Sequence, residues 1–403
     1  MIRVNQKRRN SVKSGKLLFI VTSLILLSGF AFGQVAITAP SGLDIELSGG
    51  VELEFVDVEG PGGFANQDLT YQKVKNRSPH MRIDMAVLGA RVHYSENLYY
   101  NIEFRFDDES AYVDKQYARL TVPSLNTKFE MGKNRPFVSR KRQSEGYPLI
   151  GTAFWKGREA HINGETEIKL GDSGKLIGGL QFAMKRPLGT DDAAEDKSFK
   201  MMVYDDYEPK NGQTFEYGVK AGLELAGLSA LGWFFTGELI DDWDWKASLK
   251  QSLAPYSNMG DETDVTHYWM GGRAGYNIAG LNLLGEYIQA QDGLLTREGA
   301  YGEASYSLAA PKFLRAQRLT LLGRQGFLNL KSKKNSAGDE LTWAYLSESM
   351  SWDRQMTTLS AMLEINDNLT LKIEHYILDE TTGSDDQTSV DDDQSLMQIN
   401  FRF

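Results

Sequence analysis

The sequence predicts an all-β fold, a transmembrane antiparallel β-barrel of about sixteen to eighteen strands, on three observations. Long segments alternate apolar and polar residues with a period of two, and short turns between them alternate with long polar connections. The third is the final segment, Ser395 to Phe403 (SLMQINFRF): Met397, Ile399, Phe401 and Phe403 fall on one face, and Gln398, Asn400 and Arg402 on the other. Such a strand needs an edge partner, and pairing with the first strand would close a barrel. Length alone suggests two or three soluble domains, but no Pro/Ser-rich linker divides the 403 residues, and a barrel of this length is one unit. With no cysteine in the chain, disulfide scaffolds and thiolate metal sites are excluded.

At the start, Arg3, Lys7, Arg8, Arg9, Lys13 and Lys16 precede an apolar run from Leu17 to Phe32, and small residues follow at Ala31-Phe32-Gly33. This is the pattern of a secretory signal peptide, assigned to residues 1–33. The apolar run is shorter than the roughly 20 residues that a spanning helix requires. The leader holds six basic and no acidic residues, so its removal takes the formal charge from −10 to −16. Residues 34–403 are then the barrel, and an acidic mature chain disfavours nucleic-acid binding.

From Ile45 the apolar set Ile45, Leu47, Gly49, Val51, Leu53 and Phe55 alternates with Glu46, Ser48, Gly50, Glu52 and Glu54. The run outlasts a typical globular strand and suits a tilted membrane strand. A hairpin follows from His80 to Phe106 around Ser95-Glu96-Asn97, with Asn101, Glu103, Arg105 and Asp107 opposite an apolar face. Charge is thus expected on the inner face. Ile162–Leu170 and Leu176–Met184 flank the turn Asp172-Ser173-Gly174. Phe215 to Leu225 repeats the pattern, and Leu231, Trp233, Phe235, Gly237 and Leu239 continue the apolar face.

Later strands cover Tyr268–Tyr276, Leu281–Ala290, Gly299–Leu308, Arg318–Leu330, Leu359–Ile365 and Leu369–Ile377, the last two joined by Asn366-Asp367-Asn368. Tight turns on one rim and long connections, such as Lys185 to Lys197 and Asp379 to Gln394, on the other describe a periplasmic and an extracellular end. A direct count gives about 18 strands, with Met201 to Leu239 the hardest to divide. Tyr94, Tyr99, Tyr112, Trp233, Trp243 and Trp245 are candidates for interfacial aromatic girdles.

One stretch departs from this grammar. Between Lys128 and Arg158 eight basic residues face two acidic ones. Lys133, Arg135, Arg140, Lys141, Arg142 and Arg158 are the candidate anion-pathway residues, because guanidinium forks match carboxylate and phosphate oxygens. Residues 133–158 are too long, and too apolar at Tyr147-Pro148-Leu149-Ile150, for a simple turn. Two readings stand: a constriction folded into the lumen, where charge sets ion selectivity, or an exposed loop whose cations meet lipopolysaccharide phosphates.

Acidic Asp379, Glu380, Asp385, Asp386 and Asp391 to Asp393 lack the spacing of a calcium loop and read as a solvated connection. No metal or other cofactor is required. His80, His93, His161, His267 and His375 are scattered singly, so spacing names no catalytic triad. An outer-membrane lipase or protease, and a plugged barrel serving as adhesin or anchor, remain the alternatives to an open lumen.

Glu130-Met131-Gly132-Lys133-Asn134-Arg135-Pro136-Phe137, after a strand starting Ala111-Tyr112-Val113, resembles the Gly-x-x-x-Pro-Phe element of the phosphate-selective porin O and P family. AYGEASYSL at Ala300 to Leu308, TLLGRQGFLNL at Thr320 to Leu330, the hairpin Leu359 to Ile377 and the ending are similar to that family's later strands. The resemblance covers nearly all of the chain after the leader. It implies a 16-stranded, often trimeric, outer-membrane channel for small hydrophilic solutes or anions. It also implies a terminal Phe403 read by the barrel assembly machinery. The family's anion preference comes from basic residues along the lumen, whereas this mature chain is acidic, so the resemblance speaks for a channel more directly than for phosphate.

Overall fold

The computed structural model describes residues 35–38, 43–58, 80–106, 111–141, 143–144, 159–184, 215–238, 266–292, 295–310, 315–331, 353–381 and 393–403. The leader lies outside them. In chain order the strands are β1 (Val35–Thr38), β2 (Asp44–Val58), β3 (His80–Ser95), β4 (Leu98–Phe106), β5 (Ala111–Val122) and β6 (Thr127–Asn134). Then come β7 (Glu159–Leu170), β8 (Gly174–Met184), β9 (Phe215–Leu225), β10 (Leu228–Glu238), β11 (Thr266–Ile278) and β12 (Leu281–Asp292). The series ends with β13 (Leu295–Ala309), β14 (Arg318–Lys331), β15 (Asp353–Asn366), β16 (Leu369–Thr381) and β17 (Gln394–Arg402).

Each strand from β2 to β17 pairs antiparallel with the next, and β17 returns to β2 from Gln394↔Val58 to Arg402↔Gly50. Sixteen long strands therefore close a barrel, not eighteen. The stretch hardest to divide, Met201 to Leu239, yields β9 and β10, and residues 201–214 and 239 lie outside the described residues. The four-residue β1 occupies the same edge of β2 as β17, at Val35↔Leu47 to Thr38↔Asp44, and extends the line where β17 stops. Among the described residues every long strand has a partner on both edges, the condition for crossing a membrane with strands.

The short turns have local causes. Ser95 Oγ accepts from the backbone N–H of Asn97 at 3.3 Å and of Leu98 at 3.1 Å, and Asn366 Oδ1 accepts from that of Asn368 at 2.9 Å. Ala226-Gly227 and Ala279-Gly280 hold positive φ at both positions, as a two-residue hairpin matched to strand twist requires. At the closing seam, Phe403 and Gly49 exchange backbone hydrogen bonds at 3.0 and 2.9 Å. A Cβ on Gly49 would sit 2.5 Å from Phe403 Cζ, so only glycine leaves room for that ring.

Alternation fixes two surfaces. The outward one carries exposed apolar side chains, such as Leu180, Ile373, Leu359 and Leu88. Met397, Ile399, Phe401 and Phe403 share this side by register. The inward one carries Glu52, Glu54, Asn101, Glu103, Arg105, His161, Asn163, Glu165, Gln398 and Asn400, on the parity read from the sequence.

Strand β10 corrects that reading. Leu231, Trp233, Phe235 and Gly237 face inward, because register sets them opposite Gly222, Lys220, Gly218 and Glu216 on β9. Ala230, Gly232 and Phe234 take the outward side. Phe235 stacks on Trp269 with ring centroids 4.1 Å apart. With Ile288, Ala290, Leu328, Met356, Tyr376, Leu396 and Val56 these form an apolar patch on the inner face of β10 to β17 and β2. The girdle expectation is corrected likewise. Tyr99, Tyr112 and Trp233 have inward parity and only Tyr94 projects outward, while Trp243 and Trp245 lie outside the described residues.

Candidate functional site

The inner wall is a set of cross-strand charge pairs. Register places Glu54 opposite Arg82, Glu103 opposite Lys115, Glu130 opposite Arg119, Glu286 opposite Arg273 and Glu303 opposite Arg324. Each pair closes: Arg82 to Glu54 at 2.9 Å, Lys115 to Glu103 at 2.6 Å, Arg324 to Glu303 at 2.7 Å, with Arg119–Glu130 and Arg273–Glu286 also in contact. Opposed charges on facing strands stabilise a ladder, and here they also let a strongly polar wall line the interior.

The residues after β6 are bonded to this inner face at widely separated strands. The Phe137 backbone N–H donates to Gln181 Oε1 of β8 at 3.0 Å, and Lys220 of β9 donates to the Phe137 carbonyl at 2.6 Å. Lys220 also pairs with Glu165 of β7, passing over Gly179 of β8; a Cβ on Gly179 would meet the Phe137 ring at 2.8 Å. The Phe137 ring stands edge-on to Phe235 of β10 at 5.5 Å. Arg273 of β11 donates to the Val138 carbonyl at 3.0 Å. Arg140 Nη2 donates to both oxygens of Glu303 on β13 at 2.9 Å, and Ser144 donates to Glu374 of β16 at 3.1 Å.

At the root of this segment Glu130 Oε1 accepts from Asn134 at 2.8 Å, and His161 Nε2 lies 3.1 Å from the same oxygen. Gly132, within β6, holds φ +135, and an added Cβ would lie 2.3 Å from the Gln116 carbonyl, so the strand passes here through a position only glycine accepts.

The predicted basic residues are therefore not equivalent. Arg140 is nearly enclosed and shares the Glu303 carboxylate with Arg324, while Lys133 has the outward parity of Phe129 and Met131 and donates to the Val113 carbonyl at 2.8 Å. Arg135 is half-buried and Lys141 is exposed. Arg142 and Arg158 lie outside the described residues. Lys128 is 3.3 Å from Glu167. The excess of six positive charges read from the sequence is thus partly cancelled by the wall.

Gln181, Lys220, Arg273, Glu303 and Glu374 were not singled out from the sequence. Their only local signal is inner-face parity; that they converge on residues 137–144 is a property of register. The acidic connection at 382–392 lies outside the described residues, although Asp393 Oδ1 accepts from the Leu378 N–H at 2.9 Å. On the outward face His375 Nδ1 is 3.0 Å from Ser395 Oγ. Asp57 stands across from Ser395, not from His375, so the order differs from a triad in which the acid orients the imidazole.

No family model matches the sequence, and no curated protein matches it. Solved structures do. OmpF of Salmonella typhi, in complex with daunomycin, superposes with a TM-score of 0.57 at 14% identity, covering 92% of this chain and 100% of that one. The outer membrane channel DcaP of Acinetobacter baumannii gives 0.56 at 11% identity, with 92% and 100% covered. An anion-selective porin from Comamonas acidovorans gives 0.55 at 13%, with 89% and 99% covered. At these identities the likeness is one of fold: the chain has the closed antiparallel barrel architecture of outer-membrane porins.

Proposed function

We propose that the protein is an outer-membrane channel for passive diffusion of small hydrophilic solutes and ions, with a weak preference for anions of the phosphate type. The observation that carries this reading is a closed barrel whose inner wall is a polar ladder, with residues 137–144 bonded to it at β8, β9, β11, β13 and β16.

Residues 133–158 narrow the lumen in this reading. Along the wall, β8 and β16 are eight strand spacings apart, about 38 Å at 4.8 Å each. The seven steps from Phe137 to Ser144 reach at most about 25 Å, which favours a course across the interior. Ions passing a narrowing feel its charge at close range, and charges in wide connections are screened within about 8 to 10 Å. Lys141 and Arg135, with Arg142 and Arg158, are the cations that would tip the balance, and Arg140 acts as the anchor. The likeness in fold to an anion-selective porin supports this preference.

Outer-membrane lipid and lipopolysaccharide as surroundings, assembly through a machinery that reads Phe403, and a homotrimeric state complete the proposal. The neighbours include a trimer form of Vibrio cholerae OmpT. A second reading, a plugged barrel, draws on Val56, Ile288 and Leu328, which are inward yet fully covered. Planar-bilayer recording on folded protein decides: stepwise conductance supports the channel, and its absence in heat-modifiable, well-folded protein supports the plug.

A further inference from the structure

The inner wall of β3 to β5, near the short-turn rim, carries a cluster that the 137–144 anchor does not use. Register places His93, Tyr99 and Arg119 in one row and Arg91 and Tyr117 in the next inward row, flanking Asn101. Tyr99 lies at the centre. The Arg91 guanidinium carbon is 4.9 Å from its ring centroid and that of Arg119 is 5.7 Å away. Arg119 is also 5.3 Å from the Tyr117 centroid. The rings of His93 and Tyr117 stand 5.6 and 6.3 Å from that of Tyr99.

This ladder is less neutralised than the rest of the wall. Glu130 holds Arg119, but Arg91 meets Glu46 only at 3.3 Å, and its side chain is 40% exposed. Arg91 Nε lacks a hydrogen-bond partner, and His93 Nε2 lies 3.3 Å from Glu46 Oε1, so one carboxylate serves both side chains. The site thus offers guanidinium donors in a fork that matches a carboxylate, beside phenol and guanidinium faces on which a planar ring stacks. An inorganic anion would use the forks alone, and an uncharged sugar the ring faces alone. A planar aromatic acid uses both.

We propose that Arg91, His93, Tyr99, Tyr117 and Arg119 form a lumenal subsite for aromatic carboxylates, which lingers on them in transit. The proposal rests on the channel reading, and two measurements keep the failures of the two apart. Benzoate and acetate are compared as blockers of single-channel current and, independently of conduction, as ligands of protein in lipid nanodiscs by saturation-transfer NMR titration. Benzoate is expected to bind about tenfold more tightly than acetate, the gain from its stacking contact alone, since both acids share the charge-assisted fork. Tyr99→Leu is expected to abolish the difference between the two acids. Arg91→Gln is expected to weaken both by about fivefold or more, and Lys169→Gln, on the inner face of β7, to change neither. Heat-modifiable migration certifies that each variant is folded. Equal binding of benzoate and acetate, or a benzoate advantage that survives Tyr99→Leu, overturns the subsite. Absence of conductance overturns the channel reading while the NMR titration still decides the subsite.

Discussion

Replacing Glu303 with Gln tests how the wall and the 133–158 segment share their charge. The Glu303 carboxylate is fully covered and accepts Arg140 Nη2 on both oxygens at 2.9 Å, with Arg324 at 2.7 Å. Gln keeps the shape and removes the charge, so two guanidiniums share the remaining acceptor. Leaving a buried charge uncompensated costs about 3 to 5 kcal/mol in closed interiors, and water in the lumen places the expected loss at the lower end. The electrostatic effect on permeation is distinct from this loss of stability. One unit of charge about 6 Å from a passing ion in water-like dielectric is worth about 0.7 kcal/mol, roughly a threefold change in partitioning for each sign of ion.

Glu303→Gln adds a net positive charge and is expected to shift the zero-current potential in a salt gradient toward anions, with noisier current from the loosened anchor. Arg140→Gln leaves Glu303 on Arg324 alone and is expected to shift it toward cations. The opposite signs are the test. Shifts of the same sign, or unchanged potentials in both folded variants, would refute the placement of Arg140 and Glu303 beside the ion path.

Four further outcomes are expected. Replacing Arg140, Lys141 and Arg142 together with Gln moves the reversal potential further toward cations than Arg140→Gln alone, by an increment assignable to the exposed Lys141 and to Arg142; no increment removes those two from the pathway. Deleting Phe403 lowers the yield of heat-modifiable barrel in the outer membrane, and unchanged yield denies it an assembly role. Gly49→Val forces its side chain into the Phe403 ring, which an alanine Cβ would already approach to 2.5 Å, and lowers the unfolding free energy by about 1 to 3 kcal/mol through overpacking strain, read by urea titration in detergent. Gly132→Ala meets both positive φ and the Gln116 carbonyl, and should release the segment after β6, read as altered single-channel conductance.

The lessons of the sequence differ from strand to strand. Where one parity is apolar and the other charged, as in Leu98–Phe106 or Gln394–Arg402, the inward side was legible at once. In β10 both parities are apolar: Ala230, Gly232 and Phe234 on one, Leu231, Trp233 and Phe235 on the other. Period alone cannot choose between them, and the side carrying the larger residues turns inward, away from lipid. Pairing with Glu216, Gly218 and Lys220 of β9 settles it, because the polar parity of β9 must face the same way as its cross-strand partners.

The same distinction runs through the candidate site. Residue order by itself determined that this chain forms alternating strands, which turns are tight, that the terminal strand presents Met397, Ile399, Phe401 and Phe403 on one face, and that basic charge gathers at Lys128 to Arg158. These are local properties, set by a period of two and by turn chemistry within a few positions. Tertiary structure alone decided that sixteen strands close with β17 on β2, and that Arg140 meets Glu303, 163 positions away. It alone decided, too, that an apolar patch lines part of the interior. The physical reason is that each depends on which strands are neighbours and in what register, and closure imposes that on the whole sheet at once.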